Sequence, residues 1–506
     1  MIWGFSKTLS DLIVIKISYF VENLNGMKKL SSMLVVGVIL LGAVVLINTF
    51  TFKSKQINTE PAEFINIPQT CIQNLQKAIQ FKTISYDRPD LIDSAAFLDF
   101  HTFLVQAYPL TFSKLKLEKI NGLSLILHWQ GKNKALQPII LMAHQDVVPV
   151  EEATRKNWHA DPFSGALKDD FIYGRGTIDD KGSLIAILES VELLLKDNFI
   201  PENDIYFVFG HDEEVTGKRG AKVIAALFKQ RGIKPAMVLD EGGIITHYKV
   251  PGLDKPAAVV GIAEKGYVTV DLKARIAGGH SSMPEKQTAI DELAKALVKL
   301  KENQFPLELG PVTNLFMDYV GPEMPFVSKM AMANRWLFSS IIKSNYEKTA
   351  AGSATLRTTT ATTIFNAGLK ENLIPGEASA TVNFRTLPGV DTLAVINHVK
   401  KVINNPDIEV TLRQGSSATA QIAKVNDKTF DYLQKTISAF QEDIIVTPYL
   451  VLGATDSRFF GDLTTQVFRF TPFTDPEGFH GVNERIKVTE FKKGIMFYYH
   501  FIKNYN

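Results

Sequence analysis

Pro138-Ile139-Ile140-Leu141-Met142-Ala143 runs without a polar side chain into His144-Gln145-Asp146. An apolar run that does not alternate is what a strand covered on both faces requires, and such strands belong to parallel sheets flanked by helices. Residues 183–196 follow with Leu184, Ile187, Leu188, Val191 and Leu195 at helical spacing. Residues 205–209 form a second buried strand, 221–230 a second helix and 237–239 a third strand. This succession predicts an α/β fold built on a mostly parallel sheet.

In such a sheet the functional groups gather at the carboxyl ends of the strands. His144 stands at that end of the first strand, Glu213 and Glu214 follow the second, and Asp240 ends the third. Asp179 lies in the loop Gly174-Arg175-Gly176-Thr177-Ile178-Asp179-Asp180, just before a helix. His480-Gly481-Val482-Asn483-Glu484 supplies a second imidazole far downstream. Two imidazoles and four carboxylates on one edge suit two divalent metals sharing a site. Cys71 is the only cysteine, which excludes an intrachain disulfide and a thiolate cluster and leaves metal binding to His, Asp and Glu.

At 506 residues the chain exceeds one simple core, and 45% hydrophobic with 21% charged residues is an ordinary globular composition. The formal net charge of +2, with no basic block, argues against nucleic acid as a partner. From residue 264 the pattern changes: Val268, Val270, Leu272, Ala274 and Ile276 alternate with other residues, as do residues 378–384, and helices are expected over 285–303 and 393–403. This predicts an inserted α+β lid of the dimerisation type over 264–424, between two parts of the main domain at 71–263 and 425–506. Residues 310–350 are rich in Met, Phe and Trp, which fits helical core, an apolar substrate wall or a membrane-facing patch.

Residues 30–52 contain no charge and are long enough to cross a bilayer as a helix. No small-x-small cleavage site follows, so an uncleaved transmembrane signal anchor is expected rather than a signal peptide. Lys28 and Lys29 favour a catalytic part on the extracytoplasmic side (periplasmic, extracellular or lumenal), although Lys53 and Lys55 weaken that bias. Residues 1–29 read as an extension and 53–70 as a polar tether.

The motifs His144-x-Asp146-Val147-Val148-Pro149, Gly174 to Gly182, Asp212-Glu213-Glu214 and Gly279-His280-Ser281-Ser282 resemble the co-catalytic zinc aminoacylase/carboxypeptidase family, the group of acetylornithine deacetylase and succinyl-diaminopimelate desuccinylase. Asn372-Leu373-Ile374-Pro375, Arg385-Thr386-Leu387-Pro388-Gly389 and Gly453 to Arg458 look most like the carboxypeptidase S branch, which includes enzymes acting on N-fatty-acyl amino acids. The resemblance implies two zinc ions, with cobalt or manganese as substitutes. It makes Asp179 the bridging ligand, with His144 and Asp240 completing one site and Glu214 and His480 the other. A bridging anion is needed because two dications about 4 Å apart repel strongly. By the same resemblance Asp146 fixes the tautomer of His144, and Glu213 is the general base. His280 stabilises the tetrahedral intermediate, Arg385 clamps the substrate carboxylate, and Asn372 and Gly453 contact substrate. The Asp179–Asp180 peptide bond is implied to be cis.

The resulting expectation is a membrane-anchored metallopeptidase or amidohydrolase. It would cleave the amide bond before a free-carboxylate amino acid, in a small peptide or an N-acyl amino acid, and a homodimer would fit the lid. An N-fatty-acyl amino acid synthase/hydrolase is the alternative within enzymes, and a non-catalytic binding protein on the same fold is the alternative outside them.

Overall fold

The computed structural model describes residues 33–417, 421–441 and 443–505. The expected extension and Lys28-Lys29 lie outside the described residues. The described chain begins with helix α1 (Met33–Thr51). It then forms β1 (Lys116–Ile120), β2 (Ser124–Trp129), β3 (Ile139–His144), α2 (Lys181–Lys196), β4 (Ile205–Gly210), α3 (Ala221–Gln230), β5 (Met237–Asp240) and β6 (Ala257–Glu264). Next come β7 (Gly266–Arg275), α4 (Ala289–Glu302), α5 (Pro311–Val320), α6 (Phe326–Ala333), α7 (Arg335–Glu347), β8 (Thr359–Ala367), β9 (Glu377–Thr386), α8 (Thr392–Ile403) and β10 (Ile408–Leu412). The chain closes with β11 (Ile445–Val451), β12 (Val467–Arg469) and α9 (Val488–Lys503).

The large sheet has the order β1-β2-β4-β3-β5-β12-β6-β11, and a short ninth strand, Ile245–Thr246, pairs beside β6. It is mixed rather than mostly parallel. β3 runs parallel to both β4 and β5, and β5 to β12, whereas β2 meets β4 antiparallel and β1 folds back on β2. The difference has a local cause. Asn121 and Gly122 both take positive φ between β1 and β2, which makes a tight hairpin, and a hairpin can only join antiparallel strands.

β3 shows why its residues do not alternate in polarity. Ile139 and Leu141 pack with Leu184 and Leu188 of α2 and with Ile495 and Phe501 of α9 on one face. Ile140 and Met142 pack with Ile224 and Phe228 of α3 on the other. Both faces are dry, so every position must be apolar until the strand ends at His144.

The smaller sheet, β8-β9-β7-β10, is antiparallel and has its own core. Val268, Val270 and Leu272 point to one side, where Leu293 and Leu300 of α4 and Val395 and Val399 of α8 cover them. α4 begins at a reciprocal cap in which Thr288 Oγ1 accepts from Asp291 N while Asp291 accepts from Thr288 N.

Residues 311–347 pack elsewhere. Val312 and Tyr319 of α5 join the core of the large sheet, and Val320 and Met324 pack on Val259 and Ile445. This Met- and Phe-rich stretch therefore belongs by its contacts to the main body and not to the smaller sheet. Residues 53–70 are also not a free tether. Gln56 bonds the edge strand through Val446 N and O, and Ala62 N donates to Ala439 O at 2.8 Å.

Candidate metal and active site

His144 caps β3, and its ring is fixed from two sides. Nδ1 donates to the carbonyl of Asp146 at 3.0 Å and lies 3.4 Å from the Asp146 carboxylate, while Nε2 lies 2.8 Å from Asp179 Oδ1. The second oxygen of Asp179 lies 2.6 Å from Nε2 of His480. One carboxylate thus spans two imidazoles, one oxygen to each. His480 also approaches Glu214 at 3.2 Å, and His144 approaches Glu241 at 3.4 Å. The Asp179–Asp180 bond is cis.

Asp146 organises more than one neighbour. Its carboxylate accepts from Glu213 N at 3.2 Å, Glu214 N at 3.1 Å and Ser85 Oγ at 2.6 Å. It therefore ties the turn that carries both glutamates to the end of β3. Burial pushes its carboxyl upward, but these bonds and His144 outweigh that and hold it below the ordinary range.

The carboxylates around the histidines crowd one another. Burial and the charge of Asp179 raise Glu214 to about 7 and Glu241 to about 8. Burial pushes Glu213 well above the usual range, and the neighbouring carboxylates add to it against the opposing pull of His144. Hydrogen bonds to Asp179 and Glu214 raise His480 to about 10. Asp179 is held well below the ordinary range, because its two imidazoles overcome its burial.

Two sets of ligand atoms lie within 4.8 Å of one another: His144, Asp179 and Glu214, and His144, Glu213 and Glu241. Glu214 Oε1 is buried with no hydrogen-bond partner, which a cation would supply. Nitrogen and carboxylate donors without sulfur fit a borderline or hard dication. The residues present therefore fit a pair of metal ions.

One expected ligand is not brought to the cluster. Asp240 Oδ2 accepts from Ser457 N at 2.8 Å, and the next residue, Glu241, takes the position beside His144. Asp240 is the last residue of β5 and Glu241 the first beyond it, and with Asp240 held by the Ser457 amide it is Glu241 that reaches His144. The sequence motif points to Asp240 alone, and Glu241 emerges only from the fold.

His280 and Asn372 are not brought to the cavity either. His280 is exposed on a two-residue ribbon paired with Leu373 and bonded to Ser282, and Ser281 N donates to Asn372 O at 3.2 Å. Arg385 and Gly453 do line the cavity with Asp179, Glu213, Glu214 and Glu241. Arg385 sits 4.6 Å over the Tyr267 ring, and no salt bridge forms to it among the described residues. Lys265, which the sequence did not single out, lies beside it and donates to Ala354 O and Arg357 O, each at 2.7 Å. Burial and Arg385 lower its amine to about 7.

Glu484, which stands in the sequence motif of His480, supports that histidine through Arg175. It is fully buried, pairs with Arg175 at 2.6 Å and accepts from Gly176 N and Ile178 N, each at 2.9 Å. Arg175 in turn donates to the carbonyls of His480 and Gly481. This pair locks the loop of Asp179 to the loop of His480. His211 faces Ser124 at 2.6 Å rather than the cluster. Lys181 donates to Ala78 O and Phe81 O, which is loop support.

Residues 140–504 match Peptidase family M20/M25/M40, and the chain belongs to that family. It is an enzyme of a metal-dependent class of peptidases and amidohydrolases, as its motifs implied. It is 41% identical over 486 residues to Probable carboxypeptidase S-like 2 of Dictyostelium discoideum, covering 93% of this chain and 92% of that one. It is 36% identical over 455 residues to N-fatty-acyl-amino acid synthase/hydrolase PM20D1 of Homo sapiens, covering 88% and 89%. The fold resembles the M20 family metallo-carboxypeptidase Sso-CP2 from Sulfolobus solfataricus, with a TM-score of 0.61 at 20% identity over 86% of this chain and 99% of that one.

Proposed function

We propose that this enzyme hydrolyses N-acyl amino acids with long apolar acyl chains, using two zinc ions. Short peptides ending in a free carboxylate form the second substrate class. The observation that carries this reading is the cavity. Its volume is about 1790 Å³, beyond the roughly 300–1,000 Å³ of common ligand pockets. The acid–histidine cluster and Arg385 line part of it, and Phe316, Met324, Met332 and Ile342 line another. A dipeptide does not need that apolar volume, whereas an acyl chain does.

His144, Asp179 and Glu241 would hold one zinc ion, and Glu214, Asp179 and His480 the other. When bound, the dications supply Lewis acidity that activates water and polarises the amide carbonyl, and cobalt or manganese would serve in their place. Arg385 clamps the substrate carboxylate through its guanidinium, held flat by Tyr267. Glu213 takes a proton from the attacking water and delivers it to the amine nitrogen as the C–N bond breaks, leaving a fatty acid and an amino acid. The same groups run the reverse condensation when product acid and amine are abundant.

His280 lies outside the cavity, so its part in stabilising the intermediate requires movement of the smaller unit or delivery from a second copy in a homodimer. α1 would act as the signal anchor and hold the catalytic part on the extracytoplasmic side. Its 19 uncharged residues and exposed apolar surface support the anchor. The test compares kcat/KM of the metal-loaded enzyme on N-acetyl and N-oleoyl amino acids. A preference for oleoyl of about tenfold or more is expected from burial of the extra methylenes. Equal values would remove the acyl reading, and turnover that persists after chelation would remove the metal.

A further inference from the structure

α1 does not hang from the body on a loose linker. Asn334, just past α6, donates to Val45 O at 3.1 Å and Thr49 Oγ1 at 3.3 Å, and accepts from Asn48 at 2.9 Å. Phe50 packs on Phe326 with ring centroids 6.0 Å apart, and Phe52 lies so close to Gly321 that a Cβ there would come within 2.5 Å of its ring. Lys55 then pairs with Asp318 at 3.6 Å and sits over the Tyr319 ring. The last turns of an apolar helix are therefore bolted to α5, α6 and the start of α7.

The rest of α1 is bare. Leu34, Val36, Val38 and Ile39 are exposed on all sides, a surface that water does not tolerate and hydrocarbon does. Whatever covers α1 must also meet the helices fixed to its end, and their outer faces are apolar too. Phe326, Val327, Trp336, Leu337 and Ile341 are all exposed, with Trp336 at 59% and Val327 at 71%. From Val45 to Thr51 the helix rises about 9 Å, which matches the roughly 5–10 Å to which interfacial helices sink. Trp336 is the residue type that settles at that depth, and Lys329, Lys343 and Lys348 supply charge for headgroup phosphates. The inner faces of the same two helices contribute Ser328, Met332, Ile342 and Tyr346 to the cavity wall.

We propose that α6 and α7 lie in the lipid interface beside α1 and form the partition between the bilayer and the cavity, so that the acyl chain of the substrate enters from the leaflet. The route rests on the acyl amino acid reading above, but the immersion of α6 and α7 does not. The test uses the full chain in phosphatidylcholine vesicles, in a Trp3→Phe background. Phosphatidylcholine brominated on its acyl chains should quench Trp336, and Trp336→Phe should abolish most of that quenching, because Trp129 and Trp158 are buried in the body. Val327→Asp combined with Ile341→Asp should slow hydrolysis of a vesicle-borne N-oleoyl amino acid by about tenfold, with a water-soluble N-hexanoyl substrate unaffected. Absence of Trp336 quenching would overturn the immersion, and equal effects on both substrates would overturn the entry route. Loss of all hydrolysis by the parent enzyme would sink the hydrolase reading, while the quenching would still decide the immersion.

Discussion

Glu213 and Glu214 are neighbours with the same side chain and different surroundings. Glu214 reaches His480 at 3.2 Å, whereas Glu213 makes no hydrogen bond to either histidine among the described residues and is raised by burial and by the acids around it. A carboxylate held above its ordinary range is a better proton acceptor from water, and its protonated form is populated nearer neutral pH, where it can pass the proton to the leaving amine. Glu213→Gln should therefore lower kcat by about 10²–10⁴-fold while bound metal, measured by elemental analysis, stays unchanged. The acids after β5 separate in the same way. Glu241→Gln should lose metal affinity by about tenfold or more, and Asp240→Asn should not, since Asp240 is spent on the Ser457 amide. Equal metal content in the two variants would contradict this assignment.

At the scale of elements, the metal-binding edge is held together by two buried carboxylates that are not candidate ligands. Asp146 ties the end of β3 to the Glu213-Glu214 turn, and Glu484 ties the Asp179 loop to the His480 loop through Arg175. Removing one partner of a buried ion pair leaves the other charge stranded, at a cost of about 3–5 kcal/mol. Glu484→Ala should lower stability by that order in denaturant titration and weaken metal binding. Arg175→Ala should weaken metal binding in the same direction. The elements themselves were largely legible. The aliphatic run before His144 and the helical spacing of residues 184–195 reappear as β3 and α2. The antiparallel β1 and β2 are marked in the sequence only by the hairpin signal Asn121-Gly122, since the half-exposed residues of β1 lack the continuous apolar run that marks β3.

For the whole molecule, the crowded cluster couples metal, protons and stability. Glu214 and Glu241 move from an ordinary 4.5 to about 7 and about 8, and His480 moves from 6.5 to about 10. All three bind protons more tightly in the folded state than in the unfolded chain. The metal-free protein should therefore lose stability as pH rises through that window, between about pH 4.5 and about pH 10. Bound dications replace those protons, so metal loading should flatten the decline, raise Tm most at the alkaline end and release protons to solution. Thermal melts of metal-free and metal-loaded protein across this range check the sign. A metal-free Tm that rises with pH would contradict the crowding.

Alternation of hydrophobic runs and the order of His144, Asp179, Glu213, Glu214 and His480 were enough to determine the α/β class, the family and the chemistry of the reaction. Each of those signals is local, written within a few residues of itself. Tertiary structure alone decided which acid of Asp240 and Glu241 faces His144, because the Ser457 amide that holds Asp240 comes from a segment 217 residues away. It also decided that residues 311–324 pack on the large sheet, that His280 stands outside the cavity and that α1 is bolted to α6. These are contacts between segments up to some 290 residues apart, such as Val45 with Asn334, and no local pattern encodes a partner so distant.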